Sequence, residues 1–227
     1  MKKSLLFLML GLLSAVSAQA QGTVTGRVTF DGTVPAIETV EVKSDVPTCG
    51  DHKEVAKILV SPTKGVANAV VKIVGAKGDL KPVPGNLDQV KCQFEPHVQA
   101  VTTGSTLVIT SSDAVLHNTH AFNEDGSTAF NIAVPIVGME VKKKLEKPGL
   151  LKLRCDAGHT WMSGYIAVFD EPFFAVTDSD GNFSISGVPP GKYELEIWQE
   201  WLGKSRQTLE VKDGANDPVV ISLKEAK

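Results

Sequence analysis

Beyond residue 20, no window of the chain sustains a 3.6-residue apolar period over three turns. Apolar and polar residues alternate in short runs broken by Gly, Pro, Asp and Asn. A period of two puts successive side chains on opposite faces of an extended backbone, so the fold class is all-β. The clearest strands are predicted at Thr23–Phe30, Ala69–Val74, Thr106–Thr110, Leu151–Cys155, Tyr165–Phe169, Asn182–Ile185, Tyr193–Trp198 and Pro218–Leu223. Between them lie turn signals such as Asp31-Gly32, Pro84-Gly85-Asn86, Asp125-Gly126 and Pro189-Pro190-Gly191, whose residues supply positive φ and local hydrogen bonds. In Asp178-Ser179-Asp180-Gly181 the Gly directly follows the second Asp, which reads as a hairpin turn rather than a calcium loop.

The first twenty residues follow a different logic. Lys2 and Lys3 precede an apolar stretch from Leu5 to Val16, which runs into the small-x-small pattern Ala18-Gln19-Ala20. This is the pattern of a secretory signal peptide cleaved after Ala20. Its apolar stretch is shorter than the roughly 20 residues of a spanning helix. Position 21 is Gln rather than a lipid-accepting Cys, and no later stretch reads as a membrane span. The mature chain is therefore expected to be soluble and periplasmic or secreted. With 23 Lys+Arg against 26 Asp+Glu it carries no basic excess, and loss of Lys2 and Lys3 makes it more acidic still, which argues against a nucleic-acid partner. The 42% hydrophobic content argues against a disordered acidic chain.

An exported chain with three cysteines, Cys49, Cys92 and Cys155, has an odd thiol in an oxidising compartment. In Leu151-Lys152-Leu153-Arg154-Cys155 the alternation makes Cys155 the end of an inward-facing row. The following loop, Asp156 to Gly164, carries His159 and Met162. A thiolate, an imidazole and a thioether in one hairpin loop suit copper in an electron-transfer site, where a Cys and two His lie roughly in a plane and a Met sits at longer range. The second imidazole has to come from a neighbouring strand. His117 and His120 both qualify by position, and, three apart on a strand, they face opposite sides.

Phe94-x-Pro96, Gly104-Ser105-Thr106-Leu107-Val108-Ile109, Ser112-Asp113, His117-Asn118 and Cys155-x3-His159-x2-Met162 resemble, in order and spacing, the plastocyanin-like cupredoxins, over about residues 90–170. The resemblance implies a Greek-key β-sandwich holding copper through His117, Cys155, His159 and Met162, with the Asn118 N–H hydrogen-bonded to the Cys155 sulfur. It leaves His120 at the surface or outside the ligand set. His52 and His97 have no partner at ligand spacing and are expected to face solvent. One departure is that three residues separate Cys155 from His159, whereas the shortest ligand loops of that family have two; Gly158 tolerates the unusual backbone this requires.

The flanks resemble the two halves of a carboxypeptidase-regulatory-like, prealbumin-type sandwich. Residues 22–76 carry Gly26-Arg27-Val28-Thr29-Phe30-Asp31-Gly32, and residues 174–224 carry Val188-Pro189-Pro190-Gly191-Lys192-Tyr193. The expected organisation is a signal peptide (1–20), a first half-sandwich (22–84), the cupredoxin domain (85–171) and the second half-sandwich (172–225). The whole layout resembles exported bacterial methylamine-utilisation-like proteins. With Cys155 given to copper, Cys49 and Cys92 are expected to form a disulfide; the alternative makes both metal ligands with His52 or His97.

These readings point to a type 1 copper protein acting as a single-electron carrier. It would show one imidazole edge to a transient redox partner through an apolar rim of Ala157, Gly158 and Trp161 around His159. No His-x-His pair is present for a trinuclear copper centre, so the chain is expected not to be an enzyme. The alternative is a non-catalytic module of the cell envelope that binds carbohydrate or protein, with Trp198 and Trp201 as its contact surface. Copper storage would call for more Met or Cys ligands than this chain offers.

Overall fold

A computed structural model describes residues 20–225, so all of the signal-peptide reading except Ala20 lies outside the described residues. Nearly every element is a strand, and the helix Val46–Cys49 is a single turn. Among the described residues no helix is long and apolar enough to cross a membrane.

Two pairs of sheets each enclose a core. In the first pair, the strand Gly22–Phe30 alternates buried Val24, Val28 and Phe30 with half-buried neighbours. It pairs antiparallel with Asn182–Val188 and parallel with Val219–Leu223. The facing sheet runs in the order Phe174–Val176, Val70–Val74, Gly191–Gln199, Gly203–Val211. Their shared core takes Val24, Val28, Phe30, Ile73, Leu195, Ile197, Ile221 and Leu223 among others. At the Asp178 hairpin Gly181 is needed for a steric reason. It has φ 82° and a Cβ there would stand 2.3 Å from the Val28 carbonyl oxygen. The Asp178 carboxylate accepts the N–H groups of Asp180 and Asn182, which closes the turn.

The second pair holds the metal-ligand candidates. One sheet is ordered Thr128–Val134, His117–Phe122, Gly149–Arg154, Ser163–Phe169, Val98–Thr102, and the other Val141–Lys144, Thr106–Ile109, Gly85–Gln89, Phe94–Glu95. Leu87, Phe94, Leu107, Ile109, Leu153 and Ile166 fill the space between them. Burying six such side chains stabilises this core by roughly 1.5–3 kcal/mol each relative to exposure, before the ordering cost.

The hairpin Glu38–Glu41 and His52–Val55, joined through the helical turn, departs from the expected boundaries. It falls within the span 22–84 assigned to the first sandwich, yet Val42 and Cys49 are buried in the second core. Cys49 is disulfide-bonded to Cys92, which ties the hairpin covalently to that sandwich.

The two sandwiches meet at a small apolar cluster of Val70, Val98 and Ala167, with Trp198 packed edge-on against Tyr165 at 5.0 Å. Trp201 lies on the opposite side of its strand end, edge-on to Phe30 at 5.8 Å in the first core. The two tryptophans therefore form no shared contact face. His97 also belongs to the junction and is not solvent-facing as the sequence suggests. Its Nδ1 meets the Ser163 carbonyl at 3.1 Å and its Nε2 the Glu200 carboxylate at 2.7 Å. Burial works against its charged form, but Glu200 outweighs it and leaves the His97 pKa raised. Burial, with Glu200 added, also pushes the Tyr165 phenol up to about 12.

Candidate metal centre

Leu151, Leu153 and Cys155 are buried while Lys152 and Arg154 are exposed, so the alternation delivers the Cys155 thiol into the second core. The chain turns there because Arg154 pairs with Ser163 across the hairpin, leaving Cys155 to Met162 as the connecting loop. The Asn118 side chain accepts the Asp156 N–H at 2.6 Å and fixes the exit from Cys155. Gly158 has φ 95°, a conformation that a β-branched or bulky residue avoids. It lets the loop double back so that the Met162 N–H reaches the His159 carbonyl at 2.9 Å.

His117 enters from the adjacent strand and is fully buried. Its Nδ1 lies 3.7 Å from Cys155 Sγ, and His159 Nδ1 lies 3.7 Å from the same sulfur. The two imidazole centroids are 4.6 Å apart. Met162, 2% exposed, packs in the same core. His120 points away, as the strand alternation requires. It bonds to Asp156 at 2.6 Å and Thr128 at 2.8 Å, and the first of these bonds is the main reason the Asp156 carboxyl is held below its usual range. His52 is exposed.

Each buried imidazole is fixed from behind by a carboxylate. His117 Nε2 donates to Asp113 Oδ2 at 2.9 Å, and His159 Nε2 donates to Asp45 Oδ2 at 2.9 Å. A carboxylate can only accept, so both Nε2 atoms carry the proton and both Nδ1 lone pairs face the sulfur. Such outer partners orient a metal-binding imidazole and raise its basicity. Asp113 is itself held by the N–H groups of Lys91 and Cys92 at 2.6 and 2.7 Å. Burial lowers the His117 pKa, which favours the neutral, ligating form. Burial pushes the Cys155 thiol up, against backbone N–H groups of Asn118, Ala157 and His159 directed at the sulfur.

The donor set fits a divalent metal of borderline softness. Bonds of about 2.3 Å to sulfur and about 2.0–2.1 Å to nitrogen separate S and N by about 3.6 Å at a tetrahedral angle and about 3.8 Å at a trigonal one. The two observed separations of 3.7 Å fall between. One ligand atom from each of His117, Cys155 and His159 lies within 4.8 Å of the others. The disulfide is close by: atoms of Cys49, Cys92 and His159 form one such group, and those of Cys92, Asp113 and His117 another. Cys49 and Cys92 are engaged with each other rather than with His52 or His97.

Two features escape the sequence reading. Asp45 stands 114 residues before His159, in a loop with no local metal signal that the Cys49–Cys92 disulfide ties to the same sandwich. His159 shows no imidazole edge to solvent and is 0% exposed, contrary to expectation. Asp113 carries a weak signal, since a carboxylate four residues before a buried His can reach its outer nitrogen when the strand starts at that His.

The family described as polysaccharide lyase family 4, domain II, matches residues 170–219. No curated protein matches. Among solved structures, a novel purple cupredoxin from Nitrosopumilus maritimus is similar at 21% identity and a TM-score of 0.33, covering 37% of this chain and 99% of that one. A copper-containing nitrite reductase from Thermus scotoductus SA-01 gives 26% identity and a TM-score of 0.33 over 43% of this chain and 24% of that one. A Cu(I) variant of amicyanin gives 17% identity and a TM-score of 0.33 over 44% of this chain and 98% of that one.

Proposed function

We propose that this chain is an exported copper protein of the type 1 class that carries single electrons, with His117, Cys155, His159 and Met162 holding the metal. The observation that carries the proposal is the convergence of one buried thiol and two carboxylate-anchored imidazoles, each with Nδ1 3.7 Å from the sulfur. A donor set of Cys, two His and Met suits copper better than zinc, which takes thiolate and imidazole but seldom a thioether. Copper bound there would supply a one-electron couple between Cu(I) and Cu(II).

The chain's own residues do the rest. Asp113 and Asp45 hold the imidazoles in one tautomer and one orientation, so little has to move when the charge at the site changes. The N–H groups around Cys155 stabilise negative charge on its sulfur. Leu153, Phe94 and Trp161 keep water away. In this reading the chain has no substrate of its own, and the flanking sandwich, split in sequence around the metal-bearing one, serves as its support.

The test is to add Cu(II) to purified protein lacking residues 1–20 and record absorption and EPR spectra. An intense thiolate-to-copper band with narrow copper hyperfine splitting is expected. Colourless binding, or a band that survives Cys155→Ser, overturns the proposal.

A further inference from the structure

A carrier whose outer imidazole is covered needs another way out for the electron. The Asp45 loop occupies the side of His159 where a partner would otherwise dock, and Ser44 Oγ lies 3.5 Å from the position of a Cβ on Gly158. The next aromatic ring outward is Trp161, tilted against the His159 ring with centroids 5.4 Å apart. It is half-buried, and its Nε1 donates to the Cys92 carbonyl at 2.9 Å. Together with Met162 it forms one wall of a cleft of about 230 Å³, whose other wall begins at Glu54 and Val55 on the overhanging hairpin.

Charge gives this cleft a direction. Glu54, Glu95 and Glu200 line it, and no Lys or Arg does. Its one basic group, His97, is held by Glu200 at 2.7 Å. Glu54 and Glu95 are exposed. Lys152 and Arg154, together with Glu38, line an adjoining cleft that shares Val55, Trp161, Met162 and Ser163 with the first.

We infer that the acidic cleft beside Trp161 is the docking surface for a redox partner protein with a Lys- or Arg-rich face, and that Trp161 is the group through which the electron crosses. The inference rests on the proposed function. With copper held there, one electron would leave the reduced site by way of His159 and Trp161 and reduce the partner's one-electron acceptor, with no bond made or broken. Carboxylates at the mouth raise the local concentration of cationic partners and speed encounter, an effect that salt removes.

The test uses full mature protein loaded with copper and reduced, and two inorganic oxidants of opposite charge: the tris(phenanthroline)cobalt(III) cation and the ferricyanide anion. At low ionic strength, the double variant Glu54→Lys/Glu95→Lys should react about tenfold more slowly than the parent with the cation and faster with the anion. Both differences should vanish at about 0.5 M salt. Because both side chains are exposed, the thiolate-to-copper band should be unchanged. The milder Glu54→Gln/Glu95→Gln pair should show the same trend in smaller degree. An intact copper band with unaltered rates in both variants overturns the docking surface while leaving the copper site standing. The same holds if the cation's rate responds instead to Lys152→Glu/Arg154→Glu, which would move docking to the other cleft. No copper band in the parent protein overturns the copper site itself and this inference with it.

Discussion

Replacing Cys49 and Cys92 together by Ala in the metal-free protein isolates the effect of the crosslink that holds the Asp45 loop over the site. The bonded residues are 43 apart in sequence. On the chain-entropy account a loop of that length restricts the unfolded ensemble by about 13 cal/mol/K, or about 4 kcal/mol at 25 °C. What remains to hold the loop is the Val42 side chain buried in the second core, the Val42 N–H bonded to the Asp51 carbonyl, the Asp45–His159 bond, and the Lys53 ammonium on the Lys91 carbonyl. Each of these bonds is worth about 0.5–3 kcal/mol net, the upper end applying only to a buried charged partner. Urea unfolding followed by tryptophan fluorescence is the assay, because Trp161 is bonded to the backbone of Cys92 and reports on this region. With a slope of about 2 kcal/mol/M, the midpoint should fall by about 2 M. Working without metal matters, since copper bound only to the folded state would add stability of its own. A fall below about 0.5 M at unchanged slope would refute the reasoning, because the loop would then be held by burial and hydrogen bonds rather than by the crosslink.

Met162→Leu should keep copper binding and raise the reduction potential, since a long thioether bond adds little affinity but favours Cu(II); spectroelectrochemistry checks it, and loss of all copper would contradict it. Asp113→Ala should weaken Cu(II) affinity by about 10–100-fold in a chelator competition, by freeing the His117 ring from the partner that aims it. His97 has a raised pKa in the folded protein, so its bond to Glu200 contributes stability that is fully present below about pH 6.5 and is lost as pH rises through the raised value. The urea midpoint should therefore decline across that window relative to His97→Gln, and parallel curves for the two proteins would contradict this.

The parts of the fold that the sequence shows plainly are strands with one wet face. Gly22–Phe30 and Gly149–Arg154 alternate in burial as their apolar residues alternate in sequence. His117–Phe122 hides because its first three residues, His, Asn and Thr, are polar and all buried; His117 bonds to Asp113 just upstream, Asn118 reaches Asn131 and Asp156, and the Thr119 hydroxyl has no partner among the described residues. Gly203–Val211 hides for the opposite reason: it is an edge strand with only Leu209 and Val211 buried, so its pattern reads as a loop. At the candidate site the Cys155–Met162 loop and His117 stand out because ligand chemistry restricts residue type. The Asp45 cover does not, because its approach depends on a covalent link and on a register between segments far apart in sequence. The place of His97 is hidden on the same ground: Glu200, its partner, lies 103 residues on.

The pairing of Gly22–Phe30 with both Asn182–Val188 and Val219–Leu223 also sets an order of events during folding. The earliest described strand has no neighbours in its own sheet until the last ones have been made, so its ladders close the longest loops in the chain and form late. The strands between Gly85 and Phe169 find their partners within that span. They can collapse first, bringing the two ends of the flanking sandwich together as they do so. A newly made chain would thus spend its early life with the inner sandwich formed and a leading strand held only by its bridge to residues 64–66, which is the segment a chaperone would have to shield.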